Sequence, residues 1–157
     1  MAQFSSKILM GSLGFLCLIA CHTVKQAALL TPEQQGIEGQ ILEQMGNQMP
    51  SMGKPISKGK PYPTTVYFYQ PFYANVVEEK LGNLLLKCNG ILVDSLTTNA
   101  LGFFKVYLPP GNYSVVVGYE GHFFASHFTQ FNEVALVKVD KGAFVKNDIT
   151  INVKASY

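Results

Sequence analysis

Apolar and polar residues alternate most regularly over residues 97–121. The alternating apolar positions are Phe104, Val106, Leu108, Tyr113, Val115 and Val117. A period of two is typical of strands that place one face on a core. The two runs are separated by Pro109-Pro110-Gly111, where proline cannot continue a strand ladder and Gly111 is able to adopt the positive φ of a turn. The pattern predicts a β-hairpin with its apolar face buried.

The same criterion predicts further strands over residues 36–42, 64–72, 84–96, 134–139 and 145–153. Within 84–96, Asn89-Gly90 predicts a bulge in one long strand, and a small hairpin is the alternative. Residues 46–50 are typical of a turn and 51–63 of a loop, whereas 73–83 fits either a short helix or a loop insertion. About seven strands with little helix predict an all-β protein, a seven-stranded β-sandwich of one domain.

Parity also assigns individual side chains to faces. Val66 and Phe68 are expected on one face of strand 64–72, and Tyr67 and Tyr69 on the other. The expected inward residues of the last strand are Ile149, Ile151 and Val153.

The N-terminal residues have the layout of a secretion signal. Lys7 precedes an apolar run over residues 8–20. This run of about 13 residues is shorter than the roughly 20 residues that are needed to span a bilayer. This layout predicts a signal peptide over 1–20, a tether over 21–35 and one folded domain over 36–157.

The signal ends in Leu18-Ile19-Ala20-Cys21, which resembles the lipobox of bacterial lipoproteins. The resemblance implies cleavage before Cys21 and its acylation, by chains such as palmitate, so that the membrane becomes a partner. An ordinary signal peptide is the alternative. His22 follows the cysteine without an acidic cluster, and by analogy with envelope lipoproteins this favours the periplasmic face of the outer membrane. Cys88 is then left unpaired, and we expect it to be a small buried hydrophobe.

The basic residues argue against a nucleic-acid partner. All 12 are lysines, and the formal net charge is only +2. The lysines are scattered, and arginine, which reads phosphates and bases through a bidentate fork, does not occur.

The stretch from Thr98 to Gly121 resembles the carboxypeptidase regulatory-like domain. The matching segments are Thr98-Asn99-Ala100-Leu101-Gly102-Phe103-Phe104 and Leu108-Pro109-Pro110-Gly111-Asn112-Tyr113, with Asn99 in place of the usual Asp. Upstream, Gly39-Gln40-Ile41 and the looser Gly46-Asn47-Gln48-Met49-Pro50 stand for the start of the family pattern. The resemblance implies a transthyretin-like (prealbumin-like) Greek-key β-sandwich over roughly 36–155. The chain is similar to small envelope lipoproteins of the Bacteroidetes group, and the resemblance supplies no catalytic residue.

No motif of catalysis is found, and we expect a protein that is not an enzyme and has no cofactor. None of the three histidines begins the H-x-x-E of zinc carboxypeptidases, and G-x-S-x-G is missing. The strongest metal-site hypothesis joins Glu120 and His122, which share a parity, with His127, although ordinary polar residues are the alternative.

The aromatic residues exceed the need of one alternating face. The surplus rings are Tyr62, Tyr67, Tyr69, Tyr73, Phe123, Phe124, Phe128 and Phe131. They are expected either to form a surface patch for a glycan or a protein partner, with Tyr67, Tyr69, Phe123 and Phe128 as its main candidates, or to pack under the long loops. The sequence thus predicts a membrane-tethered binding or structural module of the envelope. Its alternative is a protein that binds a small ligand, glycan or metal through segment 119–131.

Overall fold

The computed structural model describes residues 34–49, 53, 57–76 and 80–156. The signal peptide, Cys21 and most of the tether lie outside these residues. In chain order the strands are β1 (Gly36–Asn47), β2 (Lys60–Pro61), β3 (Thr65–Tyr69), β4 (Lys80–Leu81), β5 (Leu84–Leu85), β6 (Leu92–Thr97), β7 (Phe103–Tyr107), β8 (Gly111–Tyr119), β9 (His122–Ala125), β10 (Leu136–Val139), β11 (Phe144–Lys146) and β12 (Ile149–Ser156). A 3₁₀ turn covers Ala74–Val76, and no α-helix occurs in the described part of the chain. The predicted all-β class is confirmed.

The first sheet is built around β1, which pairs with all four of its other strands. It runs antiparallel to β7 and β2 and parallel to β11 and β12. Its inward side chains Ile37 and Ile41 are both fully buried, which places the first half of β1 on the core.

The second sheet is built around β8. Its strand order is β4-β5-β9-β8-β3-β6, and β10 also pairs with β8. Strands β9 and β10 pair with opposite ends of β8, β9 with residues 116–119 and β10 with residues 111–114. The two sheets are consistent with a β-sandwich.

The main core combines the inward faces of both sheets. Its principal members are Ile37, Ile41, Val66, Phe68, Phe104, Val106, Val115, Val117, Ile149 and Ile151. These are the residues that alternation selects, and the predicted inward faces of β1, β3, β7 and β8 are confirmed.

The predicted hairpin at Pro109-Pro110-Gly111 is wrong. Strand β7 pairs with β1 in the first sheet, whereas β8 pairs with β3, β9 and β10 in the second. The two prolines have no N–H to donate, so the chain leaves β7 and crosses to the other sheet. Leu108 is buried at this crossing, and the Tyr113 hydroxyl donates a hydrogen bond of 2.8 Å to the carbonyl oxygen of Pro109. Gly111 does not adopt a positive φ.

A second group of apolar side chains, here called the outer cluster, covers the outward face of the second sheet. Its members are Tyr69, Phe72, Ala74, Leu85, Val116, Ala125, Val134 and Ala135. Two connecting segments close over it, because the Ala74 N–H donates to the Asn132 carbonyl oxygen at 2.7 Å and the Val134 N–H to that of Phe72 at 3.0 Å. Strand β8 is therefore buried on both faces, which the sequence pattern does not predict.

Three further expectations are corrected. Residues 84–96 do not form one strand, because β5 and β6 are separate and β5 pairs with β4 and β9. Residues 46–47 continue β1 instead of turning, and 60–61 form β2 within the predicted loop. Residues 145–153 are divided between β11 and β12 by Asn147-Asp148.

The predicted inward position of Val153 is wrong, because its side chain is 41% exposed. Glu43 pairs with Ile151, and Met45, two residues on, pairs with Lys154, three residues on. The extra residue in β12 is a β-bulge, which reverses the alternation beyond Ile151.

Candidate functional site

The three predicted metal ligands are not brought together: Glu120 precedes β9, His122 begins it and His127 lies beyond its end. Glu120 lies in the turn between β8 and β9, not on a strand face shared with His122 as expected, and its carboxylate forms an ion pair with the Lys154 ammonium group. His122 Nδ1 lies 3.0 Å from the Glu120 carbonyl oxygen, and His127 Nδ1 lies 3.0 Å from the Ser126 hydroxyl oxygen. Among the described residues, no three His, Cys, Asp or Glu side chains converge to hold a metal ion.

A groove of about 330 Å³, here called the β8–β9 groove, opens beside this turn. Six of its lining residues are Tyr62, Thr65, Tyr67, Glu120, His122 and Phe123. The Tyr67 and Phe123 rings meet edge to face at 5.2 Å, and both are half-buried. Two of the four main candidates for an aromatic patch are thus brought together here.

The other two candidates lie elsewhere. Tyr69 belongs to the outer cluster, where the residue is only 8% exposed and its ring meets that of Phe72 at 5.6 Å. Phe128 is half-buried against the same cluster. The surplus aromatic residues are therefore divided. Some line the groove, Tyr69 and Phe128 pack under the loops, Phe124 is in the main core, and Tyr73 and Phe131 are exposed.

A network of charged and hydroxyl groups supports one side of the β8–β9 groove. The Tyr119 hydroxyl donates a hydrogen bond of 2.7 Å to Glu43 Oε1, and Lys154 Nζ lies 4.0 Å from the same oxygen. Burial, and then the hydrogen bond to Glu43, raise the pKa of Tyr119 to about 12. The hydrogen bond to Glu120 raises the pKa of Lys154. These groups hold each other in place, so the network is suited to fixing the groove rather than to proton transfer at neutral pH.

Cys88 is a free thiol beside the outer cluster. Burial raises the pKa of Cys88 to about 12, and the opposing effect of its hydrogen bond with Tyr69 is smaller. The thiol is protonated at neutral pH and has little nucleophilic character.

Sequence reasoning missed a second and larger groove, on the outward face of the first sheet. This groove, here called the β1 groove, has a volume of about 450 Å³. Six of its lining residues are Glu38, Gln40, Asn99, Phe103, Lys105 and Asp148. Parity places Phe103 and Lys105 on the outward face of β7, but no local signal shows that β1 and residues 146–148 complete a groove around them.

The described part of the chain holds no helix of the length and apolar character required to cross a membrane. Comparisons with protein-family models, curated proteins and solved structures gave no match to this chain.

Proposed function

We propose that the protein is a non-catalytic lipoprotein of the bacterial cell envelope, in which an acylated Cys21 holds a β-sandwich binding or structural module at the membrane. The observation that carries the proposal is the position of Cys21, at the end of a signal-like apolar run and 36 − 21 = 15 residues before β1 begins. Even fully extended, 15 residues reach only about 50 Å, so the sandwich stays close to the membrane. The outer membrane, with the module facing the periplasm, is the proposed location.

The finer fold assignment belongs to the same proposal. The strands of five or more residues are β1, β7 and β12 in the first sheet and β3, β6 and β8 in the second, and β8 also pairs with the four-residue strands β9 and β10. These two sheets are the basis for proposing a seven-stranded, transthyretin-like Greek-key sandwich of the carboxypeptidase regulatory-like family. The turn at Asn99 adds support, since its side chain accepts hydrogen bonds as the usual Asp of that family pattern would.

Acylation is tested by feeding producing cells an alkyne analogue of palmitate and measuring the label on the protein in membrane fractions. We expect the wild-type protein to be labelled and Cys21→Ala to lose the label. Cys88→Ala is the matched control and keeps it. Equal labelling of Cys21→Ala and wild type would overturn the proposal, and separation of inner and outer membranes by density tests the location.

A second candidate function is binding of a small ligand or glycan through segment 119–131. The specific observation in its favour is the β8–β9 groove, where half-buried aromatic rings stand beside His122 and Glu120. Pockets of a few hundred Å³ that combine aromatic walls with a few polar groups are the usual form of small-ligand sites. Calorimetry with a panel of oligosaccharides checks it: Tyr67→Ala should abolish binding, and the exposed Tyr73→Ala should not.

A further inference from the structure

We propose that the β1 groove is a binding site for a neutral glycan. The proposal deepens the binding role proposed above and rests on it, but it does not depend on acylation of Cys21. It concerns the first sheet, on the opposite side of the main core from the outer cluster.

The charged side chains of the β1 groove lie side by side and form ion pairs. Within the sheet, Glu38 of β1 pairs in register with Lys105 of β7 on one side and with Lys146 of β11 on the other. The Lys105 ammonium group lies 2.9 Å from the Glu38 carboxylate, and that of Lys146 lies 3.0 Å from the carboxylate of Asp148. Two lysines and two carboxylates leave no net charge, so the groove gives no electrostatic preference to an anionic or a cationic ligand.

Two side-chain amides of the β1 groove are oriented by the fold. Asn99 Oδ1 accepts hydrogen bonds from the backbone N–H groups of Leu101, at 3.0 Å, and Phe103, at 2.9 Å. Its amino group is therefore the end left for a ligand. Gln40 Nε2 donates to the Leu101 carbonyl oxygen at 2.9 Å, which leaves the Gln40 carbonyl oxygen as an acceptor. A fixed donor beside a fixed acceptor suits hydroxyl groups, because each hydroxyl can both donate and accept.

Phe103 supplies an apolar surface next to these amides. Phe103 is 49% exposed at the first position of β7, directly across from Gln40. The flat apolar face of a sugar ring could cover this surface while its hydroxyl groups reach the amides, and removing an aromatic surface from water is favourable. The volume of about 450 Å³ lies within the usual range for small-ligand sites.

The observations together favour a polyhydroxylated, uncharged ligand. A charged peptide gains no net electrostatic attraction, because Lys105 and Lys146 each already lie beside a carboxylate. A purely apolar ligand would leave the oriented amides of Asn99 and Gln40 without partners, which is costly once they are covered.

The experiment uses the full chain, purified in detergent, and an array of immobilised neutral hexasaccharides of glucose, xylose, mannose and N-acetylglucosamine. Hexagalacturonate and hexalysine on the same array are the anionic and cationic probes. We expect at least one neutral hexasaccharide to bind and the charged probes not to bind.

Phe103→Ala should weaken binding of that hexasaccharide by about tenfold, the effect of losing one stacking contact. Phe103→Leu keeps an apolar side chain of similar bulk on β7 and is therefore expected to fold. It should weaken binding of the hexasaccharide to a similar degree, because leucine has no aromatic ring to stack on a sugar. Phe131→Ala is the matched control, because Phe131 is 68% exposed in a connecting segment outside the groove. The affinity of this variant for the hexasaccharide should stay within about twofold of the wild-type value.

The proposal is overturned if no neutral hexasaccharide binds, if a charged probe binds more tightly, or if Phe103→Ala and Phe103→Leu both bind like the wild type. Loss of binding in Tyr67→Ala alone would assign the ligand to the β8–β9 groove instead. Acylation of Cys21 is measured separately, so a negative array result leaves the membrane anchor standing.

Discussion

At the scale of single residues, the turn that enters β7 depends on Asn99 and Gly102. The Asn99 side chain accepts two backbone hydrogen bonds, and the Gly102 N–H donates to the Asn99 carbonyl oxygen at 2.9 Å. Gly102 adopts a φ of +76°, and its own carbonyl oxygen accepts a hydrogen bond from the Ile41 N–H. These contacts fix β7 against β1, so the turn sets one wall of the β1 groove.

Replacing Asn99 tests the hydrogen bonds of this turn. Asn99→Ala removes the shared acceptor of two N–H groups and should lower the free energy of unfolding by about 1–2 kcal/mol. Asn99→Asp keeps an acceptor at the same place and should stay within about 0.5 kcal/mol of wild type. Urea unfolding followed by tyrosine fluorescence measures both, and equal stability of the two variants would contradict the role given to the side-chain oxygen.

Replacing Gly102 tests the close approach of β1. A Cβ at this position would lie 2.4 Å from the Ile41 carbonyl oxygen, in addition to the strain of the positive φ. Gly102→Ala should therefore cost more than about 2 kcal/mol of unfolding free energy.

Gly142→Ala is its control, because Gly142 has a φ of +74° and a Cβ added there would meet nothing within 4 Å. The Gly142→Ala variant has the strain of the positive φ without a steric clash, and it should lower the free energy of unfolding by only about 1 kcal/mol. A Gly102→Ala variant as stable as Gly142→Ala, or more stable, would contradict the close contact.

At the scale of elements, β8 differs from an ordinary sandwich strand because both of its faces are buried over residues 113–117. Val115 and Val117 point into the main core, and Val116 points into the outer cluster. Ser114 has the same parity as Val116, and its buried hydroxyl oxygen accepts a hydrogen bond of 3.3 Å from the Phe72 N–H. This bond also ties one covering segment to β8.

The outer cluster makes Val116 sensitive to a polar substitution. Val116→Thr keeps the shape but buries a hydroxyl among apolar side chains, and it should lower the free energy of unfolding by about 1–3 kcal/mol. Val153→Thr makes the same change beyond the bulge of β12, at a 41% exposed position, and should stay within about 0.5 kcal/mol. Urea unfolding compares the two, and similar losses would mean that the outward face of β8 is not a packed interior.

At the scale of the described fold, weakly acidic side chains are buried in both apolar regions. Burial raises the pKa of Tyr69 and of Cys88, in and beside the outer cluster, to about 12. Burial raises the pKa of Tyr119, at the edge of the main core, to about 12 as well. The ordinary pKa values are 10.0 for tyrosine and 9.0 for cysteine, so the folded state holds these protons to higher pH than the unfolded state does.

Stability should therefore decline in alkaline solution. The contribution of these groups is fully present below about pH 9, and it is lost as the pH rises towards 12, because only the unfolded state releases its protons in that window. Urea midpoints at pH 7.5, 9, 10 and 11 measure the decline.

Cys88→Ala removes the group with the lowest ordinary pKa. The decline in the stability of this variant should therefore begin nearer pH 10. Constant midpoints from pH 7.5 to 11 would contradict the burial of these groups.

Local pattern was sufficient to assign most inward side chains and the chemistry of one turn. Ile37, Phe68, Val106 and Val115 are buried as alternation predicts, because a strand turns successive side chains to opposite faces and only one face needs a core. The local pattern could not predict the bulge that turns Val153 outward, because a bulge is defined by the register between two strands.

The pairing of strands became visible only in the folded chain. Pro109-Pro110-Gly111 is consistent locally with either a hairpin or a crossing, and the choice depends on β1, more than sixty residues upstream, taking β7 as its neighbour. Both grooves have the same origin. Tyr67 meets Phe123, and Glu38 stands between Lys105 and Lys146, only because distant segments pair, and local periodicity carries no information about which segments those are.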